Sequence, residues 1–167
     1  MIKPVSEIDW SDSEINRAGV IPYYIQKGIV KLGLAVSTFS SNVSTIGGVF
    51  EPEEDYDLIS TAVREFNEEM GSNLKNLKEK DLYNCFAIIN NYSHTIMYEI
   101  EETTGVFHRT EEVYSMIWIT PKQLEIMVKN DEILIYKNKN GQGSKAFHLS
   151  RDLSLICGFV YDFFTKP

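Results

Sequence analysis

The 167-residue chain has little cysteine, little histidine and no long apolar run. Its two cysteines, Cys85 and Cys157, lie in apolar neighbourhoods, which indicates reduced, buried thiols rather than a disulfide or a nucleophile. The three histidines are scattered, so no spacing indicates a zinc site or a catalytic triad. No stretch approaches the ~18 unbroken apolar residues of a membrane span, and the first residues lack the pattern of a secretory signal. We therefore expect no membrane partner and a cytoplasmic location.

Positive charge is also scarce, because 16 Lys and Arg face 24 Asp and Glu and leave a formal net charge of -8. This balance argues against broad electrostatic attraction to nucleic acid or to an anionic membrane. The one short basic stretch, residues 137–145, is rich in Gly and Asn and is interpreted as a solvated loop. Length and composition fit one domain at 17–167, preceded by an irregular N-terminal arm at 1–16 in which Trp10 is the candidate anchor.

Hydrophobic periodicity predicts strands and helices over most of this domain. The predicted strands are residues 18–25, 28–37, 82–90, 94–101 and 113–120, and the predicted helices are residues 58–70, 121–128 and 152–164. Asp57 is the expected N-cap of the first helix and Gly71 its C-terminal stop, whereas Gly47 and Gly48 are expected to break the chain before an acidic loop. Strands interleaved with helices predict an α/β or α+β fold, with a mixed β-sheet flanked by helices.

Three glutamates of the first predicted helix lie where carboxylates are costly. At about 100° per residue, Glu69 falls inside the apolar arc and only Glu68 is close to the solvated side. Glu68 and Glu69 also occupy the last turn, where the helix dipole disfavours negative charge, and with Glu65 they repel one another. We therefore expect a cation among them, either Arg64 or a divalent metal. An all-oxygen ligand set favours Mg²⁺ or Mn²⁺ over zinc, and the alternative is an ordinary acidic helix with surface ion pairs.

This segment resembles the signature of the Nudix hydrolases, G-x5-E-x7-R-E-U-x-E-E-x-G-U, in which U is a bulky aliphatic residue. Gly48 and Glu54 match the first two fixed positions, and residues 64–71 match the second half. Residues 17–21 resemble the family's opening strand, and residues 112–124 resemble its late strand and the start of the following helix. The resemblance implies a Nudix-like α/β/α sandwich.

The spacing departs from the signature at one place, because nine residues rather than seven separate Glu54 from Arg64. If the two extra residues precede the glutamate position instead, Tyr56 falls there and its carboxylate is missing. Three nearby acidic residues could then substitute for it: Glu53, Asp55 and Asp57.

The resemblance implies hydrolysis of a diphosphate linkage in a nucleoside diphosphate derivative by a metal-activated water. The implied cofactor is Mg²⁺, with Mn²⁺ as the alternative, and the implied ligands are Glu54, Glu65, Glu68, Glu69 and the carbonyl of Gly47. Arg64 would hold the glutamates by bidentate ion pairing. The proton of the water would pass to Glu68, to Glu69 or to a glutamate of the loop before the late strand, Glu111 or Glu112.

Three further residues are candidates for contact with the substrate. Gly48 lies at the start of the signature, Arg109 lies in a loop that could reach the substrate, and the Tyr24 ring could stack on a base or equally be a half-buried strand residue. The substrate itself stays open. Capped RNA and diphosphoinositol phosphates are disfavoured by the acidic composition, although residues 47–54 resemble the diphosphoinositol-polyphosphate phosphohydrolases, and a homodimer is compatible with the sequence. The rival function is a weakly active or inactive Nudix-fold nucleotide-binding module, indicated by the insertion before Arg64.

Overall fold

A computed structural model gives ten strands and three helices in the part of the chain it describes. The described residues are 1–12, 14–40, 42–103, 105–130, 133–137 and 144–166, with only the backbone for 133–137 and 144–146. The strands are β1 (Ile2–Pro4), β2 (Arg17–Gln26), β3 (Ile29–Ser37), β4 (Asn42–Ser44), β5 (Ile46–Val49), β6 (Phe86–Ile89), β7 (His94–Glu99), β8 (Val113–Ile119), β9 (Ile133–Lys137) and β10 (Ser144–Leu149). The helices are α1 (Leu58–Met70), α2 (Pro121–Lys129) and α3 (Arg151–Thr165).

The strands form one mixed sheet in the order β1-β6-β7-β2-β3-β4-β10-β9, with β5 paired to β2 and β8 paired to β3. The pairs β2–β7 and β4–β10 are parallel, and the other pairs are antiparallel. Successive strand residues point to opposite faces, so Val20 packs with α1 on one face and Ile21 packs with α2 and α3 on the other. The predicted mixed sheet between helices is therefore confirmed.

Strand β5 contains Gly47 and Gly48, so the prediction that these glycines break the chain is wrong. They pair with Gly19 and Ala18 of β2. A side chain at Gly47 would lie 2.5 Å from the Cα of Gly19, and one at Gly48 would overlap the carboxylate of Glu65. The glycines thus permit close packing rather than a turn.

The other elements differ from the predictions at β1 and β6 and at strands β4, β9 and β10, which no predicted strand covers. Helix α1 has the predicted bounds, whereas β6 is shorter than predicted because Leu82 belongs to a 3-10 turn. The segment predicted as an irregular arm contributes β1, which pairs with β6, and Trp10 is buried with its indole Nε1 donating to the carbonyl of Val5 at 3.0 Å. The basic stretch predicted as a loop is partly strand, because Lys137 ends β9 and Ser144 and Lys145 begin β10; its residues 138–143 lie outside the described residues. Across the described ranges, no helix is long and apolar enough to cross a membrane.

Candidate active site

Helix α1 is fixed at both ends by the local sequence. At its start, Asp57 accepts a hydrogen bond from the backbone of Ser60 at 2.9 Å, and the Ser60 hydroxyl accepts one from the backbone of Asp57 at 3.2 Å. At its end, Gly71 has a φ of 53° and donates its N–H to the carbonyl of Asn67. A positive φ of this size favours glycine. The glutamates of the last two turns are therefore held on a rigid element.

Three carboxylates converge from two parts of the chain. Glu65 and Glu69 extend from α1, and Glu112 comes from the loop before β8; one oxygen of each lies within 4.8 Å of the others. Glu65 and Glu69 are only 8% and 7% exposed, whereas Glu112 is exposed. Glu68 is not one of these three carboxylates, and its side chain is 58% exposed.

The negative charge of Glu65, Glu69 and Glu112 is only partly compensated, because among the described residues Arg64 pairs with Glu65 and no cationic side chain pairs with Glu69 or Glu112. Burial and the neighbouring glutamates raise the pKa of Glu69 to about 9, against the opposing effect of a main-chain hydrogen bond from Gly47. Burial also raises the pKa of Glu65, and the charge of Arg64 offsets this in part. A divalent cation would remove the repulsion. The all-oxygen donor set fits a hard cation such as Mg²⁺ or Mn²⁺.

Arg64 is bound on both edges of its guanidinium. Its Nε lies 2.8 Å from Asp55 Oδ1 and its Nη2 lies 2.9 Å from Asp55 Oδ2, so the bidentate partner is an aspartate of the loop. Nη1 reaches Glu65 at 3.0 Å and Glu68 at 3.4 Å, and Nη2 also donates to the carbonyl of Val49 at 3.1 Å. The hydrogen bond to Asp55 is the largest cause of the raised pKa of Arg64. The glutamates thus receive single contacts rather than the bidentate pairing implied by the sequence.

Asp55 is the acidic residue that the loop buries. Its burial would raise the pKa of its carboxyl, but hydrogen bonds from Arg64, from the N–H of Glu51 and from the hydroxyl of Thr61 lower the pKa below its usual value. Glu54, in contrast, has a side chain that is 55% exposed and an oxygen 3.5 Å from Arg64 Nε. Asp55 therefore takes the partner position beside Arg64. Within the described residues, Glu54 is not among the three converging carboxylates.

The loop before β8 is attached to the end of α1 by residues that the sequence did not single out. The Thr110 hydroxyl donates to the carbonyl of Glu69 at 2.8 Å, and Asn73 exchanges hydrogen bonds with the backbone of His108. Between these attachments, Arg109 is exposed, with its guanidinium 5.7 Å from the centre of the Tyr114 ring. No sequence signal marks such contacts, because they join side chains to main-chain atoms 35 and 41 residues away.

The two other predicted substrate contacts lie in different surroundings. Gly48 adjoins the carboxylate of Glu65. Tyr24 is buried, and its ring packs against Trp118 with centroids 5.1 Å apart. Tyr24 lies six residues along β2 from Ala18, the pairing partner of Gly48, which at about 3.3 Å per residue is about 20 Å. The structure therefore brings Gly48, but not Tyr24, to the carboxylates.

Two of the cavities lie at the end of α1 and beside Gly48, respectively. One, of about 340 Å³, is lined at the end of α1 by Met70, Asn73, Phe107, Met116 and Trp118, among others. The other, of about 80 Å³, is a polar cleft lined by Ser44, Thr45, Gly47, Gly48 and Thr95, among others. The Arg17 and Asp152 side chains, 2.9 Å apart, also line this cleft. The surroundings of the site thus include one small cleft and one larger space with aromatic walls, and neither is lined by Glu65, Glu69 or Glu112.

Comparison with known proteins identifies the fold. No protein-family model matches the chain, and no curated protein sequence matches it. Among solved structures, a MutT/nudix family protein from Enterococcus faecalis is 13% identical over 93% of this chain and 64% of that chain, with a TM-score of 0.51. A NUDIX hydrolase from Alicyclobacillus acidocaldarius is 13% identical over 90% and 91%, also with a TM-score of 0.51. The chain therefore has the Nudix fold, as its signature predicts, and at this identity the likeness shows the fold alone.

Proposed function

We propose that this protein is a Mg²⁺-dependent hydrolase that cleaves a diphosphate linkage in a nucleoside diphosphate derivative, with Mn²⁺ as the alternative cofactor. The observation that carries the proposal is the convergence of Glu65, Glu69 and Glu112 within a Nudix fold. An acidic surface patch gives no reason to bury Glu69, which forms no ion pair with any described residue, because burying a carboxylate without a compensating partner is costly. A cation-binding site gives that reason.

The proposed roles follow from the contacts of each residue. Glu65, Glu69 and Glu112 hold the cation, which when bound neutralises diphosphate oxygens and lowers the pKa of a water. Glu68 is exposed and held 3.4 Å from Arg64, so it is the proposed acceptor of the water's proton. Arg109 is exposed in the same loop as Glu112 and offers its positive charge to a substrate phosphate.

Hydrolysis of a substrate panel tests this proposal. The panel contains nucleoside triphosphates, ADP-ribose, dinucleoside polyphosphates, capped RNA and diphosphoinositol phosphates, each assayed with Mg²⁺, with Mn²⁺ and with EDTA. We expect metal-dependent turnover that Glu69→Gln abolishes and that Glu68→Gln lowers by about 100-fold or more, as for a lost general base. Glu7→Gln, a change at an exposed glutamate of the N-terminal 3-10 turn, serves as the control. Turnover in ¹⁸O-labelled water then identifies the phosphorus that is attacked.

The rival function is a Nudix-fold module that binds nucleotides without hydrolysing them. Its sequence hint is the insertion before Arg64, yet Asp55 supplies a buried bidentate partner for that arginine. This contact supports the enzyme. Absence of turnover across the panel, together with tight retained binding of one member, would support the rival.

The substrate class within the proposal rests on charge. A net charge of -8 disfavours capped RNA and diphosphoinositol phosphates, because both bring many phosphates to the surface. A nucleoside diphosphate derivative brings fewer phosphates to the protein surface. The relative rates of turnover across the panel rank the substrates directly. Preferential turnover of capped RNA or of a diphosphoinositol phosphate would overturn this part of the proposal.

A further inference from the structure

We infer that Thr110 and Asn73 are positioning residues that set the carboxylate of Glu112 against those of Glu65 and Glu69. The inference rests on the proposed function of this site as a cation-binding centre. Neither Thr110 nor Asn73 contributes a carboxylate of its own.

Thr110 links the turn that contains Glu112 to helix α1. Within the turn, the N–H of Thr110 donates to the carbonyl of Val113 at 3.0 Å, and the N–H of Val113 donates to the Thr110 hydroxyl at 3.3 Å. The same hydroxyl donates to the carbonyl of Glu69 at 2.8 Å. One oxygen therefore closes the turn around Glu112 and ties it to the residue that carries a second carboxylate.

Asn73 makes a second attachment two residues before Thr110. Its Nδ2 donates to the carbonyl of His108 at 2.8 Å, and its Oδ1 accepts the N–H of His108 at 2.6 Å. Nδ2 also donates to the carbonyl of Met70 at 2.8 Å. Met70 and Glu69 belong to the last turn of α1, whose carbonyls have no partner within the helix. Both attachments thus use the end of the element that carries Glu65 and Glu69.

Glu112 needs such attachments because it is exposed and belongs to a loop, so its position depends on what holds that loop. A cation held by all three carboxylates needs Glu112 close to Glu65 and Glu69, and one oxygen of each lies within 4.8 Å of the others. A loop free to move would carry Glu112 away from them. Hydrogen-bonded groups that orient the ligands of a metal typically account for about 10- to 100-fold in affinity. A role limited to capping the helix end would alter stability without altering affinity for a cation.

Mn²⁺ alone is the probe, added to the metal-free full chain and followed by calorimetry and electron paramagnetic resonance. Thr110→Val removes the hydroxyl and is expected to weaken Mn²⁺ binding by about 10-fold. Thr110→Ser keeps the hydroxyl and is expected to bind like the wild type. Thr165→Val is the matched control, because it removes the same kind of bond, from the Thr165 hydroxyl to the carbonyl of Tyr161 at 2.8 Å, at the end of α3.

Asn67→Ala, a change within α1, is the matched control for Asn73→Ala. Asn67 exchanges the same pair of hydrogen bonds with the backbone of Leu77, at 2.9 and 2.8 Å, and so attaches a loop that holds none of the three carboxylates. Both alanine variants are expected to lower the unfolding temperature. Only Asn73→Ala is expected to weaken Mn²⁺ binding, and circular dichroism confirms that each variant is folded.

A double-mutant cycle tests whether Thr110 acts through Glu112. If it does, Thr110→Val weakens Mn²⁺ binding in the wild type and has no further effect once Glu112→Gln is present. Additive losses, wild-type affinity in Thr110→Val, or no Mn²⁺ binding by the wild type would each overturn the inference. Failure of the proposed function is distinguishable, since it would show Glu112-dependent Mn²⁺ binding without turnover of any substrate. Turnover combined with unchanged affinity in Thr110→Val would overturn the inference alone.

Discussion

Asp55 and Arg64 form two parallel hydrogen bonds, 2.8 Å from Nε to Oδ1 and 2.9 Å from Nη2 to Oδ2. This pairing fixes the plane of the guanidinium, so that Nη1 lies toward Glu65 and Glu68. The acidic loop and the face of α1 that bears Glu65 and Glu68 are thereby joined through one arginine. The two residues inserted relative to the signature lengthen the chain between the acidic loop and Arg64, and the contact between Asp55 and Arg64 is still made.

Asp55→Asn is expected to lower the free energy of unfolding by about 3 kcal/mol, because it removes the buried, bidentate charged partner of the largely buried Arg64. Urea denaturation at neutral pH measures the change. Glu54→Gln is the control, and a cost within about 1 kcal/mol is expected because that side chain is mostly exposed. Equal costs for the two variants would show that Glu54 shares the role assigned to Asp55.

Glu69→Gln is expected to abolish stabilisation of the protein by metal. A cation that binds only the folded state adds about 2.7 kcal/mol at 100 times its dissociation constant, so the wild type should melt at a higher temperature with Mg²⁺ or Mn²⁺ than with EDTA. Because the pKa of Glu69 is about 9 without metal, the neutral glutamine should leave the stability in EDTA at pH 7 unchanged. Differential scanning calorimetry measures both states, and an undiminished response of the variant to metal would contradict the assignment.

Gly48→Ala is expected to weaken Mn²⁺ binding by about 10-fold, because the added methyl group would overlap the carboxylate of Glu65 and displace it. The same overlap should lower the free energy of unfolding by about 1–3 kcal/mol. Calorimetric titration with Mn²⁺ and urea denaturation check the two effects. Gly158→Ala on α3 is the matched change at an open position: it should raise stability by about 0.5–1 kcal/mol and leave Mn²⁺ binding unaltered.

His94 is expected to make the protein acid-sensitive. It is 3% exposed, lies edge-on to Trp10 at 5.3 Å, and its Nδ1 finds no hydrogen-bond partner among the described residues. Burial lowers the pKa of His94, and the charge of Asp12 opposes this only in part. A lowered folded pKa means that the folded state binds fewer protons than the unfolded state. The stability is therefore complete above the unfolded pKa of about 6.5 and is lost as the pH falls toward the folded value.

The measurement compares the wild type with His94→Phe by urea denaturation in EDTA between about pH 7.5 and 5. As the pH falls, the free energy of unfolding of the wild type should decrease by up to about 1.4 kcal/mol per pH unit more than that of the variant. The variant keeps an aromatic ring but cannot take up a proton. Parallel losses in both proteins would assign the acid sensitivity to other groups.

The sequence predicted the first and last residues of α1 correctly, because the signals that mark the ends of this helix are local. Asp57 and Gly71 mark the ends by capping and by positive φ, and the wheel position of Glu69 already placed a carboxylate toward the core. The structure buries that carboxylate. The short strands β1 and β4 had no such signals, since each is three residues long and depends on pairing with a distant partner.

Local patterns failed where two distant segments touch. The pattern of Gly47 and Gly48 predicted a break in the chain. Glycine is instead required there because Gly19 lies too close to Gly47, and Glu65 too close to Gly48, for a side chain to fit. The choice between Glu54 and Asp55 likewise depends on which of them the folded loop buries.

The sequence by itself determined the family resemblance, the helix that bears the glutamates and the expectation of a cation. The spacing of residues along a helix fixes the direction in which each side chain points. Only the tertiary structure decided that Asp55 is the partner of Arg64 and that Glu112 joins Glu65 and Glu69. Those relationships depend on how loops are held against α1. The hydrogen bonds that hold them join residues far apart in the chain, and their partners are main-chain atoms that every residue type provides.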